Sequence, residues 1–190
     1  MKWTQREIVV VAAIGVVFGV VYLAWVQVWL LAQGLIGPIA LDIFLGLWCV
    51  ASVVAAYVVR RPFAAFFAEM VAAVAEVATG NPAGVILLLT GAVQGAGAEL
   101  PFLLTRWRRY DLPVLLASGA SAAVFSFVYT WIRFKYGALD PQLLVVMLIV
   151  RVISGMVLAG LLGRWIGRAL HRTGAVDGLR IGDDLRAGRA

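Results

Sequence analysis

Apolar residues fall along the chain in six blocks, each closed by a short polar break. A helix that spans a bilayer needs about 20 mostly apolar residues. The blocks cover residues 8–31, 39–59, 63–78, 83–104, 112–132 and 141–166. The breaks are Gln33-Gly34-Leu35-Ile36-Gly37-Pro38, Arg60-Arg61-Pro62, Thr79-Gly80-Asn81-Pro82, Arg106-Trp107-Arg108-Arg109 and residues 133–140. Gly and Pro punctuate most of them, as loop chemistry requires. The third block is the shortest and carries Glu69 and Glu76. The first is too long for the apolar core of a cleavable leader. The pattern predicts an all-α polytopic membrane protein, a six-transmembrane-helix bundle over residues 1–172. A polar, Gly-rich cytoplasmic tail over 173–190 is expected to be disordered.

Six crossings sort the basic residues. Lys2, Arg6, Arg60, Arg61, Arg106, Arg108, Arg109, Arg164, Arg168, Arg172, Arg180, Arg186 and Arg189 fall on one side. Arg133 and Lys135 fall on the other, and Arg151 lies inside the last span. The positive-inside rule then puts both termini in the cytoplasm, N-in and C-in. Composition agrees: 63% of residues are hydrophobic and 14% charged, against about 45–50% and about 25% in soluble domains. The net charge of +6 is therefore a cytoplasmic arginine set and not a nucleic-acid footprint. One Cys, Cys49, and one His, His171, supply neither a disulfide nor a usual zinc set. No Walker A motif is present, so no ATP hydrolysis is expected of this chain. A chain with no cofactor, no metal and no enzymatic activity is the expectation.

Ionisable groups inside a membrane are costly and point to function by default. The spans hold Asp42, Glu69, Glu76, Glu99 and Arg151, with the amide Gln94. At about 1.5 Å of rise per residue, Asp42 and Glu76 lie near the outer ends of their helices. Glu69, Gln94 and Arg151 lie near mid-depth, and Glu99 lies nearer the cytoplasm. Glu69 and Glu76, seven residues apart, share a helix face. That face must look at a cation, a cavity or a ligand. Glu69 could form a structural ion pair with Arg151, and Glu99 is the competing partner. Asp42 and Glu76 could be solvated at the interface, and Gln94 could bond a neighbouring helix.

Phe18, Tyr22, Trp25 and Trp29 line one face of the first helix, and Phe125 and Tyr129 repeat the theme on the fifth. An interfacial aromatic belt explains Trp107, Trp131 and Trp165, but Trp25 lies too deep for it. Aromatic rings beside carboxylates suit a flat, cationic or amino-bearing heterocycle. On depth and chemistry the candidate substrate-binding residues are Trp25, Trp29, Asp42, Trp48, Glu69, Glu76, Gln94, Glu99 and Tyr129. Ala12, Gly15 and Gly19 form a small-residue stripe on the first helix, suited to close packing inside the bundle or to docking a second membrane protein.

Four segments carry a resemblance that covers most of residues 6–170: Arg6-Glu7-Ile8 leading into Gly15, Gly19, Tyr22 and Trp25; Gly46-Leu47-Trp48 with Ala55-Ala56-Tyr57 before Arg60-Arg61-Pro62; Glu69 with Glu76; and Gln94-Gly95-Ala96-Gly97-Ala98-Glu99. The chain resembles the YkoE-type substrate-binding S components of energy-coupling factor transporters. The resemblance implies a multi-pass protein of the bacterial plasma membrane that captures thiamine or its hydroxymethylpyrimidine moiety from outside. It implies delivery inward with a transmembrane T component and two cytoplasmic ATPases. It also implies that the small-residue face of the first helix, here Gly15 and Gly19 where the family has alanines, meets the T component. An S component for another vitamin, or a ligand-free membrane scaffold, are the competing readings. An acidic pocket disfavours an anionic substrate such as folate.

Overall fold

Thr4 opens the first helix with a reciprocal cap. Its Oγ1 accepts from Glu7 N at 3.2 Å, and Glu7 Oε2 accepts from Thr4 N at 2.8 Å. A computed structural model describes residues 3–186, and from Thr4 onward the chain is helical almost throughout. The helices are α1 (Gln5–Ile36), α2 (Ile39–Val59), α3 (Ala64–Ala78), α4 (Ile86–Leu104), α5 (Leu112–Arg133), α6 (Pro141–Arg172) and α7 (Arg180–Arg186). No strand occurs among the described residues. Five of the helices, α1, α2, α4, α5 and α6, are long and apolar enough to cross a membrane. α3 has 15 residues and rises only about 22 Å, so its turns must make up the rest of the bilayer core.

Small residues set the direction of α3. Gly15 and Gly19 of α1 press on Ala68 and Ala72 of α3, so these helices run parallel. Gly91 and Gly95 of α4 press on Ala73 and Phe66, so α3 and α4 run antiparallel. The chain thus changes side at every one of α1 to α6, as the arginine sorting expects. Gly15 and Gly19 are turned into the bundle, where a Cβ on either would run into α3. The expected docking stripe is therefore an internal helix contact. Ala12 alone stays half-buried, in a shallow apolar groove with Trp3, Ile8, Phe67 and Val71.

α2 is the central helix because it has no polar face: every residue of its inner part, Val50–Val59, is buried. Its outer part is broken by a 3-10 turn, Leu45–Cys49. α6 carries a matching irregularity, the π-helical stretch Gly155–Leu161. The two meet where Gly46 lies against the Ser154 carbonyl, leaving no room for a side chain. Ser154 Oγ accepts from Gly46 N at 3.0 Å and donates to Ile43 O at 2.7 Å. Just inside, Tyr22 OH accepts from Ala51 N at 2.9 Å.

A fully buried ion pair closes the outer half of the bundle. Arg151 Nε donates to Asp42 Oδ1 at 2.5 Å, and Nη1 donates to Thr130 Oγ1 at 2.7 Å. The guanidinium carbon lies 5.1 Å from the Phe127 ring centroid. Arg151 therefore pairs with Asp42, and not with Glu69 or Glu99 as depth along the helices suggested. Helical side chains tilt toward the helix N-terminus, which for α6 is the outer end. The long arginine side chain rises by that tilt to the level of Asp42.

At the cytoplasmic end, Arg61 Nε donates to Glu7 at 2.7 Å. Glu99 accepts from Phe63 N at 2.7 Å, Ala65 N at 3.0 Å, Phe66 N at 3.2 Å and Trp107 Nε1 at 2.6 Å. It caps the positive end of α3 and ties down two turns whose Phe63 and Trp107 have φ of 66° and 54°. The segment after Arg172 is not the disordered tail that its polarity suggested. Val176, Leu179 and Ile181 are buried, and Asp184 bridges to Arg60 at 2.6 Å. Those three apolar residues, scattered among charges, anchor it; the expected disorder of residues 187–190 lies outside the described residues.

Removing either partner of Asp42–Arg151 strands a charge in a dry interior. Asp42→Ala and Arg151→Ala should each destabilise the protein by about 3–5 kcal/mol. Asp42→Leu with Arg151→Met should cost clearly less than the sum of the single changes. Unfolding midpoints of the detergent-solubilised variants measure this.

Candidate functional site

The outer half of the bundle encloses a cavity of about 350 Å³, within the range of about 300–1,000 Å³ usual for small-molecule sites. Five helices, α1 to α5, and the loop after α3 build its wall. α1 gives Val26, Trp29 and Leu30, and α2 gives Leu41, Leu45 and Trp48. Glu69 and Glu76 stand on α3, with Asn81, Pro82 and Ala83 in the loop that follows it. α4 gives Leu87, Thr90, Gly91 and Gln94; α5 gives Ser126, Tyr129, Thr130 and Arg133, with Phe134 just beyond. The irregular outer part of α2 and the close α3–α4 contact at Gly91 leave this space open beside otherwise tight helices.

Polar groups occupy two levels. The deep level holds Glu69, whose Oε2 accepts from Ser52 Oγ at 2.6 Å, and Gln94, whose Nε2 donates to Ser126 Oγ at 3.4 Å. The outer level holds Glu76, whose Oε2 accepts from Asn81 Nδ2 at 2.7 Å. Asn81 Oδ1 in turn accepts from Ala83 N at 3.0 Å, which fixes the loop over the carboxylate. Glu69 and Glu76 are separated by about 10 Å along α3. Each carboxylate is almost fully buried and receives one neutral hydrogen bond among the described residues. Glu99 receives four donors and Asp42 a guanidinium, whereas Glu69 and Glu76 line the cavity with no cationic partner among the described residues.

The aromatic wall is compact. Trp29 and Trp48 meet edge to face, with ring centroids 6.1 Å apart at 82°. The Trp29 Nε1–H is buried and has no hydrogen-bond partner among the described residues. Across the cavity, Thr90 Oγ1 donates to Tyr129 OH at 3.3 Å. Arg133 lies over the Tyr129 and Phe134 rings, with its guanidinium carbon 5.9 and 5.1 Å from their centroids.

Of the residues expected to bind substrate, Trp29, Trp48, Glu69, Glu76, Gln94 and Tyr129 line this cavity. Three do not. Asp42 is consumed by Arg151, and Glu99 caps α3 on the cytoplasmic side. Trp25 donates its Nε1–H to Phe44 O at 3.2 Å and packs edge-on against Phe44, serving the α1–α2 contact. Tyr22 likewise spends its hydroxyl on α2, so only the last member of the α1 aromatic stripe reaches the site. Sequence reasoning missed Asn81, Thr90, Ser52 and Arg133 as site residues. Arg133 did carry a signal, as one of two basic residues on the outer side. Among the described residues no group of three or more His, Cys, Asp or Glu side chains could hold a metal ion.

An all-helical membrane bundle with a ligand-sized cavity near its outer face has the architecture of a substrate-binding membrane component. A family model described as the permease component of an ABC-type cobalt transport system matches residues 6–125. A Bacillus subtilis (strain 168) protein, provisionally named HMP/thiamine permease protein YkoE, is 43% identical over 188 residues, 99% of this chain and 94% of that protein. A crystal structure of an S component of an energy-coupling factor transporter superposes with a TM-score of 0.95 at 42% identity, covering 99% of this chain and 95% of that one. The chain belongs to this permease-component family and, within it, is a substrate-binding S component of the energy-coupling factor type.

The position of the cavity has a direct readout. In a Cys49→Ala background, Thr90→Cys and Ser126→Cys should react with a membrane-impermeant thiol reagent added to whole cells. Ser118→Cys should not, because Ser118 is buried below the cavity, donating to Ala98 O at 2.7 Å.

Proposed function

We propose that this S component binds thiamine in the outer cavity and also accepts its hydroxymethylpyrimidine moiety. The observation that carries the reading is the pairing of two under-bonded carboxylates on one helix face with an aromatic corner beside them. Thiamine brings an aminopyrimidine with hydrogen-bond donors and a permanently cationic thiazolium. Glu69 and Gln94 receive the aminopyrimidine at the deep level, where carboxylate and amide can satisfy its edge. Glu76 faces the thiazolium at the outer level. Trp29, Trp48 and Tyr129 hold the ring faces, where stacking and cation–π attraction add to apolar burial. Hydroxymethylpyrimidine alone fills only the Glu69 level. The name of the Bacillus subtilis relative, HMP/thiamine permease protein, supports the same ligand class.

The chain then acts by binding, the role that its relation to substrate-binding S components supports. Delivery inward is assigned to a transmembrane T component and two cytoplasmic ATPases. With Gly15 and Gly19 buried against α3, that partner meets α1 through other residues, such as the half-buried Ala12 and its groove or the exposed Val9, Val16, Val17 and Val20.

Titration of the detergent-purified protein with thiamine and with hydroxymethylpyrimidine tests the assignment. Glu69→Gln should weaken both ligands by about tenfold or more, the cost of a lost charge-assisted hydrogen bond. Glu76→Gln should weaken thiamine by a similar factor and hydroxymethylpyrimidine much less. Equal affinity for thiamine in the wild type and both variants would remove the cavity from the account.

A further inference from the structure

We infer that Asn81 is the positioning residue behind the preference of the outer level for a cationic ring: its amide fixes the Glu76 carboxylate at the cavity wall without neutralising it. The inference deepens the thiamine reading and rests on it.

The end of α3 turns Asn81 back onto Glu76. Gly80, just past the helix, has a φ of 86°, which reverses the chain. Gly80 N donates to Val77 O at 3.2 Å, and Asn81 N donates to Glu76 O at 3.0 Å. These are the two bonds of a Schellman turn, and the outer one closes on Glu76 itself. The same turn brings the Asn81 side chain to the Glu76 carboxylate, where Nδ2 donates to Oε2 at 2.7 Å. The other end of that amide is also fixed, since Oδ1 accepts from Ala83 N at 3.0 Å. Asn81 O accepts from Gly84 N at 2.9 Å, and the ring of Pro82 locks its own φ. Asn81 is only 5% exposed, so water competes little for these bonds. Glu76 Oε1, by contrast, accepts no hydrogen bond among the described residues and keeps accessible surface on a residue that lines the cavity.

The chemistry of residue 81 decides what Glu76 can do. Two other buried carboxylates are held by arginines, Glu7 by Arg61 and Asp42 by Arg151, and their charge is spent inside the protein. A side-chain amide orients a carboxylate by hydrogen bonding but brings no net charge. The negative charge of Glu76 is therefore kept, and it forms no salt bridge among the described residues. An anion fixed before the ligand arrives loses little side-chain freedom on binding. Released from Asn81, the carboxylate is free to take other rotamers and to hydrate, and its attraction for a ring cation weakens. An uncharged ring at the same level feels little of this change. Asn81 thus acts on the charge of the ligand, through Glu76, and not on its shape.

The test is calorimetric titration of the full-length detergent-purified protein with thiamine and with its deaza analogue, in which a neutral thiophene ring replaces the thiazolium. The wild type should prefer thiamine by about tenfold or more. Asn81→Ala should cut that preference about fivefold, the worth of one hydrogen bond, by weakening thiamine much more than the analogue. Asn81→Ser withdraws the amide donor but keeps a hydroxyl acceptor for Ala83 N. It should act in the same direction, so the test does not hang on the alanine variant folding. In a Glu76→Gln background neither change should alter the preference further. A preference left intact in the Asn81 variants would overturn the inference alone. So would an equal loss for both ligands, the mark of a purely structural loop residue, or a further shift in the Glu76→Gln background. A wild type that binds both ligands equally would remove the contact between Glu76 and the thiazolium, and this inference with it. A wild type that binds neither would overturn the thiamine reading itself.

Discussion

A carboxylate buried among membrane helices must be answered by something, because hydrocarbon offers it nothing. Glu7, Asp42 and Glu99 are answered by the protein itself: by Arg61 and the Thr4 amide, by Arg151, and by three backbone amides with Trp107. Glu69 and Glu76 each receive one neutral side-chain donor. The three answered carboxylates hold the bundle together at its two ends. The two under-answered ones face the cavity, and that difference separates site from scaffold more sharply than depth does.

The rest of the architecture follows from making room for this cavity while closing everything else. α2 is featureless and fully buried in its inner part, then breaks into a 3-10 turn at the level of the cavity. The Gly46–Ser154 contact and the π-helical stretch of α6 absorb that break on the far side. Thr130 joins the two regions, since it lines the cavity and accepts from Arg151. The ion pair thus braces one wall of the site through Thr130 without lining it.

Much of this was legible in the sequence. The six apolar blocks give the crossings, and the arginine sorting gives their direction. The seven-residue spacing of Glu69 and Glu76 puts both on the cavity face. The Gln94–Glu99 motif divides by role: Gln94 lines the cavity, Gly95 and Gly97 let α3 and α5 approach, and Glu99 caps α3. What escaped depended on side-chain direction and long-range partners. The Asp42–Arg151 pair needs the outward tilt of an arginine across 109 residues of chain. Glu99 meets amides 36 and fewer positions away, in a turn that sequence spacing does not position. Trp25 and Trp29 share a stripe, yet a backbone carbonyl at Phe44 claims one and leaves the other to the cavity.

The central claim is that the under-bonded carboxylates of α3 receive the two rings of one ligand. A crystal structure of the thiamine-loaded protein tests it most directly. The account predicts the aminopyrimidine beside Glu69 and Gln94, the thiazolium beside Glu76, and the Asp42–Arg151 pair intact. Thiamine bound elsewhere, or bound in the cavity with neither ring near Glu69 or Glu76, would contradict it.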